Sequence, residues 1–178
     1  MASTLKINNL EPASGSTITI PTGKTLVGTD EGTIRTPGAV LQVVTATDST
    51  ERTTASTSFA TASNTLAVTI TPKSTSSKIF VTCSFSYGTP SGTISFFPTI
   101  YRGSTNLGGS TNRFGNLFNG SSYNYSHATL QILDSPSTTS ATTYQLYFKI
   151  GSGSNAGRIN NGGGGGSFST IRAFEVAG

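Results

Sequence analysis

Charge is scarce in this chain. Asp, Glu, Lys and Arg make up 10% of its 178 residues, against about 25% in an ordinary soluble domain. Solubility therefore rests on hydroxyls and amides, and Ser and Thr together supply about a third of the sequence. The 11 basic residues run from Lys6 to Arg172 without forming a block, and the net charge is only +4, so no electrostatic footprint for nucleic acid stands out. Cys83 is the only cysteine, which excludes an internal disulfide framework. His127 is the only histidine. A metal centre would have to be built from carboxylates that are themselves few. No window reaches the roughly 18 apolar residues of a membrane span, and residues 1–9 lack the apolar core of a signal peptide. The expectation is a product made in a cytoplasm, with no membrane insertion, no metal and no cofactor.

Helix formers are too sparse and scattered to give an apolar period of 3.6 anywhere. Thr, Val, Ile, Tyr and Phe recur instead in short runs bounded by Gly, Pro, Asn and Ser, the pattern of an all-β chain. Residues 3–37 hold only short strand candidates, at Ser3–Ile7, Ser16–Ile20, Lys24–Val27 and Thr33–Arg35. At about 25 cal/mol per Å² their few apolar side chains cannot offset roughly 1–2 kcal/mol of backbone entropy per residue. This segment is either a shaft in which identical copies wrap together or a tail ordered by a partner. Thr36-Pro37-Gly38 marks the boundary.

Beyond it the strands lengthen. Eight are expected in residues 38–178: Val40–Val44, Thr57–Thr61, Leu66–Ile70, Lys78–Tyr87, Thr93–Arg102, His127–Leu133, Thr143–Ile150 and Ser167–Val176. Their number and spacing suit an antiparallel jelly-roll-like β-sandwich. Lys78–Tyr87 alternates strictly, and Ile79, Val81, Cys83, Phe85 and Tyr87 form its core face. Pro98 makes its strand an edge or a bulged strand. The last strand places Phe168, Thr170, Arg172, Phe174 and Val176 on one side and Ser169, Ile171, Ala173 and Glu175 on the other. Both sides carry apolar groups, so the strand reads as central. Gly162–Gly166 before it form either a hairpin loop or a backbone site for a ligand.

Catalytic chemistry is missing from the pattern. Gly151-Ser152-Gly153-Ser154-Asn155-Ala156 fits a dinucleotide fingerprint, but no helix can follow it to hold a pyrophosphate. The carboxylate pairs Asp30/Glu31 and Asp48/Glu51 sit in polar surroundings expected to leave their ionisation ordinary. Serines abound, yet no nucleophile elbow occurs and only one imidazole is available to activate a nucleophile. The chain reads as non-enzymatic. The polar connection from Gly103 to Ser126 sets aromatic rings among asparagines, either as an interaction surface or as a short strand with a pinned loop.

Residues 2–10 with Thr17-Ile18-Thr19-Ile20-Pro21-Thr22-Gly23-Lys24, residues 37–43, Ile70–Ile79, Tyr101-Arg102-Gly103-Ser104-Thr105 and Ser169–Ala177 together resemble the fibre-type virion proteins of tailed phages, especially those of marine and cyanobacterial hosts. The resemblance implies a homotrimeric virion protein, assembled in the host cytoplasm. Its N-terminal β-thread (residues 1–37) would dock on tail, baseplate or neck proteins, and its jelly-roll head (residues 38–178) would contact host surface polysaccharide. A capsid or neck decoration protein and a free-standing lectin-like carbohydrate-binding module are the alternatives. The long repeat shaft of such fibres is missing here. On this reading Leu5, Ile7, Ile18, Ile20, Ile171 and Phe174 form the trimer core. Asn112, Arg113, Asn119, Tyr123, Asn124 and Tyr125 form the receptor surface, with Tyr123 and Tyr125 projecting to one side as a two-ring platform. Alternatively, both rings face inward and begin the strand through His127.

Overall fold

The computed structural model describes residues 20–28, 36–89, 94–119, 124–151, 156–160 and 167–178. The chain divides into two units, Met1–Ile34 and Arg35–Gly178. Within the first unit, residues 20–28 contain a turn in which the Lys24 N–H donates to the Pro21 carbonyl. The expected strand Lys24–Val27 does not form. Leu26 and Val27 are exposed. Leu5, Ile7 and Ile18 lie outside the described residues.

The second unit is all β among its described residues apart from one 3₁₀ turn, Gly109–Thr111. Its strands are β1 (Val40–Asp48), β2 (Arg52–Thr54), β3 (Ala60–Thr61), β4 (Ala67–Ile70), β5 (Lys78–Thr89) and β6 (Ile94–Arg102). They continue with β7 (Thr105–Asn106), β8 (Leu117–Asn119), β9 (Asn124–Asp134), β10 (Thr142–Ile150), β11 (Gly157–Ile159) and β12 (Ser169–Val176). One sheet runs β1–β12–β5–β9, with β11 extending the β12 edge of β5 and β2 beside it. The other runs β4–β10–β6–β8, with β3 and β7 sharing the edges of β10 and β6. Counted over these eight principal strands, the orders are 1-8-3-6 and 2-7-4-5, all antiparallel. This is the connectivity of a jelly roll. The sandwich expected from the sequence is thus present, and β12 is central, between β1 and β5.

Alternation fills the core. Ile79, Val81, Cys83 and Phe85 of β5 are fully buried, as are Tyr144, Leu146 and Ile150 of β10. Phe96 joins the layers, its ring 4.9 Å from that of Phe148 and 5.6 Å from that of Tyr87. Each such side chain contributes about 1.5–3 kcal/mol by leaving water. Burial alone pushes the Cys83 thiol far above its ordinary ionisation range, so it behaves as a small core hydrophobe.

Pro98 sits where β6 lacks a strand on one side, between its pairings with β8 and β7. Its carbonyl accepts from the Phe114 N–H at 3.0 Å on that side. The missing N–H points the same way, so the ladder to β10 loses no bond.

Asp48 departs from expectation. It is buried at the end of β1. Burial pushes its carboxyl up, but hydrogen bonds from Ser63 and Thr50 and the nearby Arg52 outweigh that and hold it below the usual value.

Candidate functional site

The outward face of the β4–β10–β6–β8 sheet carries a cleft. The period-2 alternation of β10 sends Tyr147 and Lys149 outward while Leu146, Phe148 and Ile150 go to the core. The register sets Lys149 opposite Phe97 and Tyr147 opposite Thr99, with Tyr101 one step further along β6. Tyr101 and Tyr147 pack with ring centroids 4.1 Å apart and planes tilted by 31°, and the Phe59 ring meets Tyr101 edge-on at 6.2 Å. Thr57, Ser58, Phe59, Tyr101, Ser104, Asn106, Thr111, Asn112 and Lys149 enclose about 440 Å³.

Asn106 builds the rim. Its Oδ1 accepts from the Thr99 hydroxyl at 2.6 Å and from the Gly108 N–H at 2.8 Å, and its Nδ2 donates to the Asn112 carbonyl at 2.9 Å. Asn112 adopts a left-handed conformation with φ of 54°, which an asparagine tolerates better than most residues. The chain folds back so tightly that a Cβ on Gly108 would lie 2.3 Å from the Arg113 backbone nitrogen. Arg113 then lays its guanidinium 4.2 Å from the Phe97 centroid, and the Lys149 ammonium stands 4.8 Å from the Phe59 centroid. These are cation–π distances. Of the two readings of the Gly103–Ser126 connection, the described part is a short strand with a pinned loop. The pinned loop also supplies a surface.

The sequence-derived receptor residues do not share one place. Asn112 lines the cleft, Arg113 flanks it, and Asn119 ends β8 of the same sheet. Tyr125 and Asn124 begin β9 in the opposite sheet, where Tyr125 is exposed. Tyr123 lies outside the described residues. Phe59, Tyr101 and Lys149 were missed, because they come from β6, β10 and the segment leading into β3, which only the sheet register brings together, whereas Asn106 lay in the connection already read as a candidate surface. Asn106 alone carried a local signal, an asparagine two residues before a glycine, which is the pattern of an Asx turn.

The other sheet has an apolar outer row. Val43 pairs with Phe174, Phe174 with Phe80, and Phe80 with Leu133, all on the outward face of four adjacent strands. Val43 and Leu133 are about half exposed, and the Phe80 and Phe174 rings lie 6.0 Å apart. The neighbouring row, Thr45, Arg172, Thr82 and Gln131, is polar. Of the residues expected in a trimer core, Ile171 is enclosed in the chain's own core, Phe174 faces outward, and Ile20 is exposed in the first unit.

No protein-family model and no curated protein matches this chain. Among solved structures it is similar to a chain of infectious bursal disease virus, Gx strain, at 13% identity and a TM-score of 0.40, covering 85% of this chain and 42% of that one. A chain of the Gt strain of the same virus is similar at 15% identity and a TM-score of 0.40, covering 87% and 43%. This chain spans less than half the length of those chains. At that TM-score the likeness bears no weight on function.

Proposed function

We propose that this is a non-enzymatic virion structural protein of the fibre type, a homotrimer whose N-terminal thread attaches it to the tail of a phage particle and whose head contacts host surface polysaccharide. The ring-lined cleft carries the reading. A pyranose offers an apolar C–H face and a rim of hydroxyls. Tyr101, backed by Tyr147 and edged by Phe59, offers a ring face, and Asn112, Ser104 and Thr57 surround it with donors and acceptors. The resemblance of both termini to phage fibre proteins supports the virion setting. The fold alone does not, since jelly rolls serve viral shells and lectins alike. Three copies would raise a weak single-site affinity through effective concentration.

The outer row Val43, Phe174, Phe80 and Leu133 supports assembly, with two further copies of this chain as its cover. It also favours a second reading, a decoration protein that lays this row on a neighbouring virion protein. Mass determination of the full chain at micromolar concentration, followed by a glycan array, tests the proposal. A trimer that binds saccharides is expected. A stable monomer would favour decoration, and a trimer that binds no saccharide would remove the receptor role.

A further inference from the structure

We infer that the cleft selects an anionic saccharide, one bearing a carboxylate or a sulfate ester, and that Lys149 is the residue that selects it. This inference rests on the saccharide reading and deepens it. Lys149 is half-buried and lines the cleft. Its ammonium faces the Phe59 ring at 4.8 Å and the Phe97 ring at 5.9 Å, and it has no ion pair among the described residues. Arg113 shares the Phe97 ring at 4.2 Å, again with no carboxylate partner among the described residues. The described ion pairs join Asp48 to Arg52, Asp134 to Arg102 and Glu51 to Arg158, and none reaches this face.

No acid is among the described residues that line the cleft. A half-buried ammonium partnered, among the described residues, only by ring faces is weakly compensated, and a second cation over the same Phe97 ring adds repulsion that an entering anion would relieve. The geometry of a sugar acid fits this arrangement. With its C–H face on Tyr101, its exocyclic acid group can reach Lys149 at one side while Asn112 meets its hydroxyls at the other. A neutral sugar would use the ring and the amides but leave the ammonium as it was.

The test uses the full chain and three tetrasaccharides in titration calorimetry: oligogalacturonate, its neutral methyl ester, and a sulfated oligosaccharide. The acid or the sulfate ester should bind about tenfold or more tightly than the methyl ester, as one charge-assisted contact implies, and their order identifies the anion. Lys149→Met should abolish that preference, with the loss of affinity falling on the acid and the sulfate ester far more than on the methyl ester, and Lys149→Arg should retain it. Tyr101→Ala should weaken all three ligands. Equal affinity for acid, sulfate and ester, or a preference that survives Lys149→Met, would overturn the inference and leave the saccharide reading intact. Failure of all three ligands, and of a wider glycan array, would overturn both.

Discussion

The Tyr144 hydroxyl donates to Oδ2 of Asp134 at 2.6 Å, and Asp134 in turn receives Arg102 through both its oxygens at 2.9 Å. Tyr144 and Arg102 belong to one sheet and Asp134 to the other, so this triad, with Tyr144 and Asp134 buried and Arg102 partly exposed, ties the two layers by polar bonds. Burial first, and then the bond to Asp134, push the Tyr144 phenol far above its ordinary value of 10.0. The folded chain therefore keeps a proton that the unfolded chain releases. This contribution to stability is complete below pH 10 and is lost as pH rises beyond it, by up to about 1.4 kcal/mol per pH unit. Tyr144→Phe should cost about 1–3 kcal/mol at neutral pH and lose stability less steeply than the native chain in urea melts between pH 9 and 11.5. Parallel slopes would mean that Tyr144 ionises freely in the fold.

Glu175 plays a similar part at the edge of the core. It is fully buried, accepting from the Lys73 N–H at 2.6 Å and from Gln42 Nε2 at 2.5 Å. It joins β12 to β1 and to the β4–β5 connection. Glu175→Ala leaves those donors without this acceptor and should lower unfolding free energy by about 1–3 kcal/mol, with Glu175→Gln recovering part of the loss. Denaturant melts in which the alanine variant matches the native chain would contradict that role.

These two acids show where a period-2 reading ends. Alternation assigned Ile79, Val81, Cys83, Phe85 and Tyr87 to the core because the opposite face of β5 is mostly hydroxyls. In β12 both faces hold apolar residues, so the pattern could not say that Ile171 and Ala173 go inward with a buried glutamate while Phe174 goes outward. Pairing with β5 decides it, since the register sets Ile171 beside the core residue Cys83 and Phe174 beside the outward Phe80. The cleft was even less legible. Phe59, Tyr101 and Lys149 meet through strand register, which long-range pairing sets and local spacing does not encode. Asn112 and Arg113 were legible as loop residues, but grouping them with Tyr125 assumed that one connection serves one face. The jelly-roll path sends its two ends to different sheets.

Ile171 and Phe174, three residues apart, should therefore respond differently. Ile171→Ala opens a cavity in the chain's own core and should cost about 2–5 kcal/mol whatever the assembly state. Phe80→Ser with Phe174→Ser removes an outward ring pair and should cost the isolated fold no more than about 1–2 kcal/mol, while shifting trimer toward monomer in light scattering. A double variant that remains trimeric with native affinity would place the contact between copies elsewhere.

The last prediction concerns the rim of the cleft. Asn106→Ala removes the acceptor of Thr99 and Gly108 and the donor to Asn112 together, so the turn that presents Asn112 loses its hub. Thr99 is fully buried, and its hydroxyl would be left without that partner, at a cost of about 1–3 kcal/mol. The expected signature is a moderately lower melting temperature with glycan affinity reduced for acidic and neutral saccharides alike, because Lys149 stays in place and the preference it sets should survive. Gly108→Ala should give the same binding phenotype by another route. Its Cβ would lie 2.3 Å from the Arg113 nitrogen, which is backbone and cannot swing aside, so residues 108–113 must shift as a unit. If both variants melt lower yet bind every saccharide as the native chain does, the 108–112 turn is a structural clip, and the ligand contacts lie wholly on Phe59, Tyr101 and Lys149.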